Sequence, residues 1–277
     1  MLLVALRATP SIAWGQAWPT KPVKIVAPFA AGGNVDVTAR IVAEQPPRLL
    51  GQPVIVQNKT GARSMIGAEA VIIAESFQPL VLLVTPAIHA KDFASFLALA
   101  RREPGKLTMG TAGAGSFTHL AGLLLEQRAG VRFEAVHYRG TGPGLADLMA
   151  GQISFRFEPI ATALPLLGDG RLRALAVTSL ERAAVLPDVP TVAQAGVANY
   201  EAINLLGLIA PAATLAPVID QLSKAMKQVL EDPTVIKRFA DLGTEARFTS
   251  PSAFFEIMHL QAETWISVIR AANIKLE

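Results

Sequence analysis

The ionisable side chains that could do chemistry are few and scattered. The 277 residues include four histidines and no cysteine. The histidines show no metal-ligand spacing, and the sequence has neither a His-Glu-x-x-His motif nor a Gly-x-Ser-x-Gly nucleophile elbow. The lack of cysteine excludes thiol catalysis, cysteine-ligated zinc and disulfides. The histidines are His89, His119, His137 and His259. These observations favour binding over catalysis.

Three ionisable side chains at predicted element ends remain candidates. His119 lies one turn into a helix that Ser116 is expected to cap, so it could donate to a ligand or be satisfied by its own backbone surroundings. Glu158 ends a predicted strand and could be a general base, an acceptor for a ligand amine or water, or part of a cap or salt bridge. Arg139 adjoins a glycine turn and could clamp a carboxylate or lie on the surface.

A glycine-containing turn joins the first predicted strand to the first predicted helix. The apolar run Val23–Ala27 stops at Pro28, Gly32 and Gly33 follow, and Asp36 is better explained as a helix cap than as a catalytic acid. Glycines let the backbone approach a ligand, and the unpaired N–H groups of a first helical turn suit an anion. The alternative is an ordinary βα turn without a ligand.

Two further strand, glycine turn and helix sequences follow. The turn 111–116 precedes the helix of His119, and the turn 139–144 follows a predicted strand at 135–138. Neither turn has the Gly-Lys-Ser/Thr ending of a Walker A loop or the glycine spacing of a dinucleotide fold. Amide-rich turns at the ends of parallel strands can hold a small anion between two lobes.

The predicted elements indicate two α/β units followed by an all-helical tail. We expect the run of βα units to form a mostly parallel sheet. A helix is predicted to begin near Met65, with Val71 and Ala74 on one face, and a buried strand at Leu80–Val84 follows. The C-terminal helices are predicted at 217–230, 234–242 and 251–272.

Composition and the N-terminus indicate a compact exported protein. Hydrophobic residues make up 51% and charged residues 17%, which excludes a disordered chain. The net charge is +3 without a basic stripe, so nucleic acid is not an expected partner. The apolar Met1–Leu6 and the small residues of Gly15-Gln16-Ala17 are typical of the end of a signal peptide whose start is missing. No later segment has the roughly eighteen apolar residues of a membrane span.

Short motifs along most of the chain resemble one family of periplasmic receptors. They are Trp18-Pro19, Lys21–Val26, Pro28-Phe29, Gly32-Gly33 with Asp36, Leu50–Val54, Gly67–Ala70, Pro104–Thr108, Ala121-Gly122, Tyr138 with Gly140, Asp147–Met149, Gly151-Gln152, Leu172–Ser179 and Leu186–Thr191. Together they resemble the solute-binding proteins of tripartite tricarboxylate transporters, the Bug or TctC-like family. The resemblance runs from Trp18 to the C-terminus.

The resemblance implies an α/β, two-lobed type II periplasmic binding protein fold that closes by a hinge. The first lobe would comprise 18–85 and 206–277, the second lobe 86–205, and residues 1–17 would be a remnant signal peptide. The C-terminal helical segment would pack on the first lobe. Gly67–Ala74 runs almost directly into Phe77–Leu80, so the first lobe would lack about forty residues of the family pattern, including one strand.

The resemblance also implies a ligand site and partners. The ligand would be a small carboxylate: a di- or tricarboxylate, an acidic amino acid or an aromatic acid. The implied ligand-binding residues are Phe29, Ala30, Ala31, Gly32, Gly33, Asp36, Gly113, Gly115, Ser116, Thr118, His119, Tyr138, Arg139, Gly140 and Glu158. The protein would be a monomer without enzymatic activity, metal or cofactor, and would deliver its ligand to a membrane permease in the periplasm.

Two departures from the family pattern support a second hypothesis. Besides the short first lobe, Glu158 stands where the family usually has Asp, and its neighbour Arg156 is unusual. The alternative function is therefore a degenerate or repurposed member that acts as a non-transport interaction or sensory partner.

Overall fold

The structure is a computed structural model that describes residues 18–27, 34–45, 47–58, 71–168, 170–211 and 213–274. The predicted signal peptide and the turn Phe29–Gly33 lie outside these residues. The strands are β1 (Val23–Ala27), β2 (Val54–Asn58), β3 (Val71–Val84), β4 (Thr108–Thr111), β5 (Glu134–His137), β6 (Phe155–Pro159), β7 (Arg173–Val177), β8 (Ile203–Ala210) and β9 (Glu245–Ala246). The helices are α1 (Asn34–Ala43), α2 (Pro47–Leu50), α3 (Phe93–Arg102), α4 (Phe117–Ala129), α5 (Thr141–Met149), α6 (Ile160–Leu167), α7 (Ala216–Leu230), α8 (Pro233–Asp241) and α9 (Pro251–Ala271).

The long strand β3 belongs to two sets of strand pairs. Its first half, from Val71 to Pro79, pairs antiparallel with β8, and its second half, from Leu80 to Val84, lies between β6 and β7. At the change of partners Leu80 faces Pro159 of β6. Since proline has no N–H for a ladder, prolines on both strands mark the place where the pairing changes. The predicted strand Leu80–Val84 is confirmed as the second half of β3.

The prediction of a helix through Val71 and Ala74 is wrong. Both residues belong to β3, and they pair with Ala210 and Gly207 of β8. The apolar run fits a helical face as well as a strand, and periodicity alone does not separate the two. Its β-branched residues favour the strand once β8 supplies a partner. Met65 itself lies outside the described residues.

The expectation of a mostly parallel sheet also needs correction, because the sheet is mixed. Strand β4 pairs in parallel with β5 and β6, whereas β3 is antiparallel to β6, β7, β8 and β9. Parallel neighbours require a crossover connection. Strand β3 continues from the part that pairs with β8 into the part that pairs with β6 and β7, without such a crossover. It runs antiparallel to all of these partners.

Strand β6 separates two cores of the second lobe. Phe155 and Phe157 pack in the core that includes Phe96, and the rings of Phe96 and Phe155 lie 5.0 Å apart. Successive side chains of a strand point to opposite faces, so Arg156 and Glu158 lie on the other face, where Val81 and Leu83 of β3 pack with α5 and α6. A buried pair of charges therefore stands inside an otherwise apolar layer.

The C-terminal helices pack on both predicted lobes. Val229 of α7 and Phe239 of α8 form a core with Ile41 and Val42 of α1, as expected for a tail on the first lobe. The end of α9 departs from that expectation because Val268 lies in the core of the second lobe. Trp265 and Val268 are three residues apart and share a helix face. That apolar face covers α4.

Candidate functional site

The second-lobe residues of the predicted site meet at one edge of the sheet. Because β4 pairs in parallel with β5 and β6, the loops that follow these strands leave the same edge. The Tyr138 N–H donates to the Thr111 carbonyl at 3.1 Å. A Cβ on Gly113 would lie 3.7 Å from the Tyr138 carbonyl, so the turns after β4 and β5 are in contact. Gly113 has a φ of +134°, which only glycine adopts readily.

The turn after β4 is held by its own hydrogen bonds. Ser116 caps α4 by accepting from the His119 N–H, as predicted. The Ala112 N–H donates to the Thr118 hydroxyl at 3.0 Å, and the hydroxyls of Ser116 and Thr118 lie 3.1 Å apart. These contacts fix the two hydroxyls next to each other before any ligand arrives.

His119 is a neutral donor at physiological pH. The Gly115 N–H donates to His119 Nδ1 at 3.1 Å, so the proton of the neutral ring is on Nε2. Burial, reinforced by the neighbouring His137, lowers the pKa of His119 to about 4. The two rings lie edge to face, 4.7 Å apart, and His137 Nδ1 lies 2.8 Å from the Thr111 hydroxyl. The geometry of His119 therefore fits both alternatives drawn from the sequence. Its Nδ1 is satisfied by the backbone, and its Nε2 carries the proton that a ligand could accept.

The turn after β5 leads into a helix without a side-chain cap. Gly140, with a φ of +101°, precedes α5 and has no side chain that could accept from the first-turn amides. Arg139 is exposed beside this turn. The hydroxyl of Tyr138 donates to Asp147 at 2.7 Å, and burial together with Asp147 raises the pKa of Tyr138 to about 12. The uncapped helix start and the Arg139 guanidinium both contribute positive charge to this edge.

Glu158 is engaged inside the protein. Its Oε2 lies 2.8 Å from Arg156 Nη2, and both side chains have no exposed surface. Its Oε1 accepts from the Thr162 hydroxyl at 2.7 Å. Burial raises the pKa of Glu158, and Arg156 opposes that rise. Of the alternatives drawn from the sequence, this geometry favours the salt bridge.

Asp36 is the predicted first-lobe site residue that the structure describes. It lies in the first turn of α1, where an acidic group is favoured by the helix dipole. Its carboxylate accepts from Arg40 Nε at 3.0 Å and from the Asn58 amide at 2.9 Å, which ties α1 to β2. The other predicted first-lobe contacts, Phe29, Ala30, Ala31, Gly32 and Gly33, lie outside the described residues.

Sequence reasoning missed several residues that complete the second-lobe edge. The Thr111 hydroxyl accepts from the Gly113 N–H in the turn after β4, and His137 forms the ring pair with His119. Thr118, which also holds this turn, was among the predicted residues. Thr111 and His137 end neighbouring parallel strands, so a prediction of the β4–β5 register would have found their contact. Arg156 stood out only as an unusual residue for a strand interior.

Two classes of site are absent from the part of the chain that the structure describes. No three His, Asp or Glu side chains there converge as they would around a metal ion. Within the same residues, every helix is too short or too polar to cross a lipid bilayer.

Comparison with known proteins identifies the family. The sequence profile described as "Tripartite tricarboxylate transporter family receptor" matches residues 69–274. The chain belongs to this receptor family. A relative from Pseudomonas sp. strain P51, the UPF0065 protein in the tcbD-tcbE intergenic region, is 32% identical, and the alignment covers 96% of this chain and 91% of the relative. Members of such a family are binding proteins rather than enzymes.

Two solved structures of the same fold contain dicarboxylates. The structure of Rpa4515 from R. palustris with adipate has a TM-score of 0.83 and 26% identity, covering 93% of this chain and 99% of that one. MatC from Rhodopseudomonas palustris, with bound malate, has a TM-score of 0.78 and 26% identity, covering 91% of this chain and 100% of that one. The two-lobed type II binding fold expected from the sequence is thereby confirmed.

The comparison also bears on the length of the first lobe. The alignment with the Pseudomonas relative extends over 307 positions, whereas this chain has 277 residues in all. The relative therefore has residues without a counterpart here. That the missing segment falls between Ala74 and Phe77 stays a prediction.

Proposed function

We propose that this receptor captures a small dicarboxylate between its two lobes and delivers it to the permease of a tripartite tricarboxylate transporter in the periplasm. The observation that carries the proposal is the uncapped start of α5 beside Arg139, at the edge where the loop of Ser116 and His119 also ends. The first-turn amides of a helix without a side-chain cap, here reduced by one because Pro143 has no N–H, and a guanidinium together suit a carboxylate. Adipate in Rpa4515 and malate in MatC support this ligand class.

In the proposed complex the second lobe supplies four kinds of donor to one carboxylate. They are the amides at the start of α5, the Arg139 guanidinium, and the hydroxyl and imidazole groups on the loop Gly113–His119. The first lobe would supply the turn Phe29–Gly33. Asp36 would hold α1 to β2 through Asn58 rather than meet an anionic ligand itself, because like charges repel. Glu158 would act from inside the lobe through Arg156.

A thermal-shift panel tests the proposal. The purified protein should melt at a higher temperature with adipate or malate, and it should not respond to adipamide, which has the same chain length without charge. A ligand at a hundred times its Kd stabilises the folded state by about 2.7 kcal/mol. A folded sample that shifts with none of a set of dicarboxylates, tricarboxylates and acidic amino acids would contradict the proposal.

One observation favours the second candidate, a repurposed member with a non-transport partner. Within the described residues β1 pairs only with β2, and a cavity of about 80 Å³ lies between β1, α1 and β8. It is lined by Ile25, Val26, Ala27, Val35, Thr38, Ala39, Leu206, Gly207 and Leu208. An incomplete sheet in the first lobe would weaken ligand binding by that lobe. Binding of a carboxylate in the thermal panel would count against this candidate.

A further inference from the structure

Arg156 is a buried cation that lies directly beneath the start of α5. Its Nη1 donates to the carbonyl of Thr141, the first residue of the helix, at 3.1 Å. A Cβ on Gly144 would lie only 2.1 Å from the same nitrogen, so the guanidinium presses against the first helical turn. The side chain itself has no exposed surface.

This position is electrostatically unfavourable for an arginine. The start of a helix carries the positive end of the dipole, which repels a cation. Burial also disfavours the charged form, and it lowers the pKa of Arg156 from its usual value. Glu158 compensates in part through the 2.8 Å ion pair. An apolar side chain on β6 would avoid both penalties.

The guanidinium also has hydrogen-bonding capacity that the protein leaves unused. Among the described residues, Nε has no hydrogen-bond partner, and Nη2 approaches Glu158 without the geometry of a hydrogen bond. Within the part of the chain that the structure describes, no side chain caps the helix above, because its N-cap residue is Gly140. The buried positive charge and the uncapped helix start therefore both favour the binding of an anion on the outer side of the turn.

We propose that Arg156 is a positioning and charge-supplying residue for the ligand turn: it fixes the Thr141 carbonyl from below and adds a full positive charge to the start of α5. Glu158 is its internal counter-ion and moderates that charge. This inference rests on the proposed function, because it assigns the ligand carboxylate to this turn. The pair thereby sets how strongly this turn binds a carboxylate.

Substitution of each member of the ion pair tests the inference, because the two substitutions should change the Kd for adipate in opposite directions. Glu158→Gln keeps an acceptor for Thr162 but leaves Arg156 without its counter-ion, so adipate should bind more tightly, on the order of tenfold in Kd. Arg156→Met should weaken adipate by a similar factor, and Arg156→Lys should restore part of the loss. The monoamide of adipic acid, whose remaining carboxylate can occupy the turn, should respond in the same direction as adipate in each variant. Phe157→Leu, on the opposite face of β6, controls for loss of packing alone.

A merely structural ion pair gives a different result. Glu158→Gln and Arg156→Met would then change the Kd in the same direction or not at all, which would overturn the inference. If a single variant does not fold, the double variant Arg156→Met with Glu158→Leu replaces it, since apolar substitution of a buried pair is often tolerated. The double variant should bind adipate more weakly than the wild type; unchanged binding would also overturn the inference.

Amide exchange separates this inference from the proposed function. In the absence of ligand, Arg156→Met should speed exchange of the amides at 139–144 while β4 keeps its protection. Unchanged exchange at the turn would refute the positioning role. Failure of the wild type to bind adipate, malate or any other carboxylate would refute the proposed function, whatever the exchange experiment shows.

Discussion

Trp265 of α9 packs edge to face against Phe117 of α4, with ring centroids 5.1 Å apart and an interplanar angle of 76°. Phe117 is the residue after Ser116, so the contact joins α9, the last helix of the described residues, to the base of the loop that is predicted to bind the ligand. Helix α9 begins near Leu205 of β8, where Phe254 packs, and ends in the core of the second lobe. Its start therefore lies at the predicted boundary of the lobes, because Leu205 is the last residue assigned to the second lobe.

Loss of the Trp265 ring should destabilise the protein. Trp265→Ala removes the aromatic pair and a half-buried side chain, at a cost of about 2–3 kcal/mol in the free energy of unfolding. Urea unfolding followed by circular dichroism measures this. Leu260→Ala on the same helix is the control, because Leu260 is 71% exposed and should change stability by less than about 0.5 kcal/mol. Equal effects of the two substitutions would show that the ring contact contributes nothing.

Gly144 should tolerate no side chain. Gly144→Ala places its Cβ against Arg156 Nη1 and should destabilise the protein by about 1–3 kcal/mol through overpacking. Gly142→Ala is a matched control in the same helix, since nothing lies within 4 Å of its Cβ position. That control should destabilise the protein less than Gly144→Ala does, because the crowding at position 142 comes from the following Pro143 and not from a buried side chain. Chemical denaturation of both variants gives the comparison. Equal stability of the two would mean that the Arg156 guanidinium does not lie against Gly144.

Stability should fall in mild acid because of His119. The pKa of His119 is about 4 in the folded protein and 6.5 in a reference peptide, so between these values the unfolded chain binds a proton that the folded chain does not. The contribution of His119 is therefore complete above about pH 6.5 and is lost as the pH falls toward 4, by on the order of 2 kcal/mol. His137 is the titratable neighbour that reinforces the effect.

Unfolding free energies at about pH 7.5 and about pH 5 measure this dependence. His119→Gln should flatten the profile between these values. A profile of His119→Gln that is as steep as that of the wild type would assign the dependence to other groups.

The small sheet of the first lobe should be its least protected part. Strands β1 and β2 form a two-stranded sheet beside a cavity, and such a sheet is marginally stable by itself. Amide exchange of Val23–Ala27 should therefore be faster than that of Leu80–Val84, which lies between two partner strands. Mass spectrometry of exchanged peptides provides the measurement. Similar protection of both strands would mean that the first lobe closes its sheet without the missing segment.

The local features of the site could be predicted from the sequence. The cap at Ser116 and the glycine turns after β4 and β5 follow from residue types within a few positions of each other, and such signals are local. The fold could be predicted from the family motifs, because these short motifs are spread along almost the whole chain.

The non-local pairings could not be predicted in the same way. The change of partner in β3 at Pro79 depends on strands that are distant in sequence, and periodicity gave a helix for its first half. The contact between His119 and His137 depends on the β4–β5 register. Arg156 faces Thr141 only because β6 lies beneath α5. Each of these contacts is decided by tertiary packing, which the single sequence does not display.

Calorimetric titration with adipate tests the central claim most directly. The wild-type protein should bind adipate at one site, and Arg139→Ala should weaken the binding about tenfold or more through loss of a charged contact. Arg128→Ala, an exposed arginine at the far end of α4, should bind as the wild type does. Equal affinity of Arg139→Ala and wild type, or absence of heat with adipate and malate for a folded wild type, would contradict a carboxylate receptor with its ligand at the start of α5.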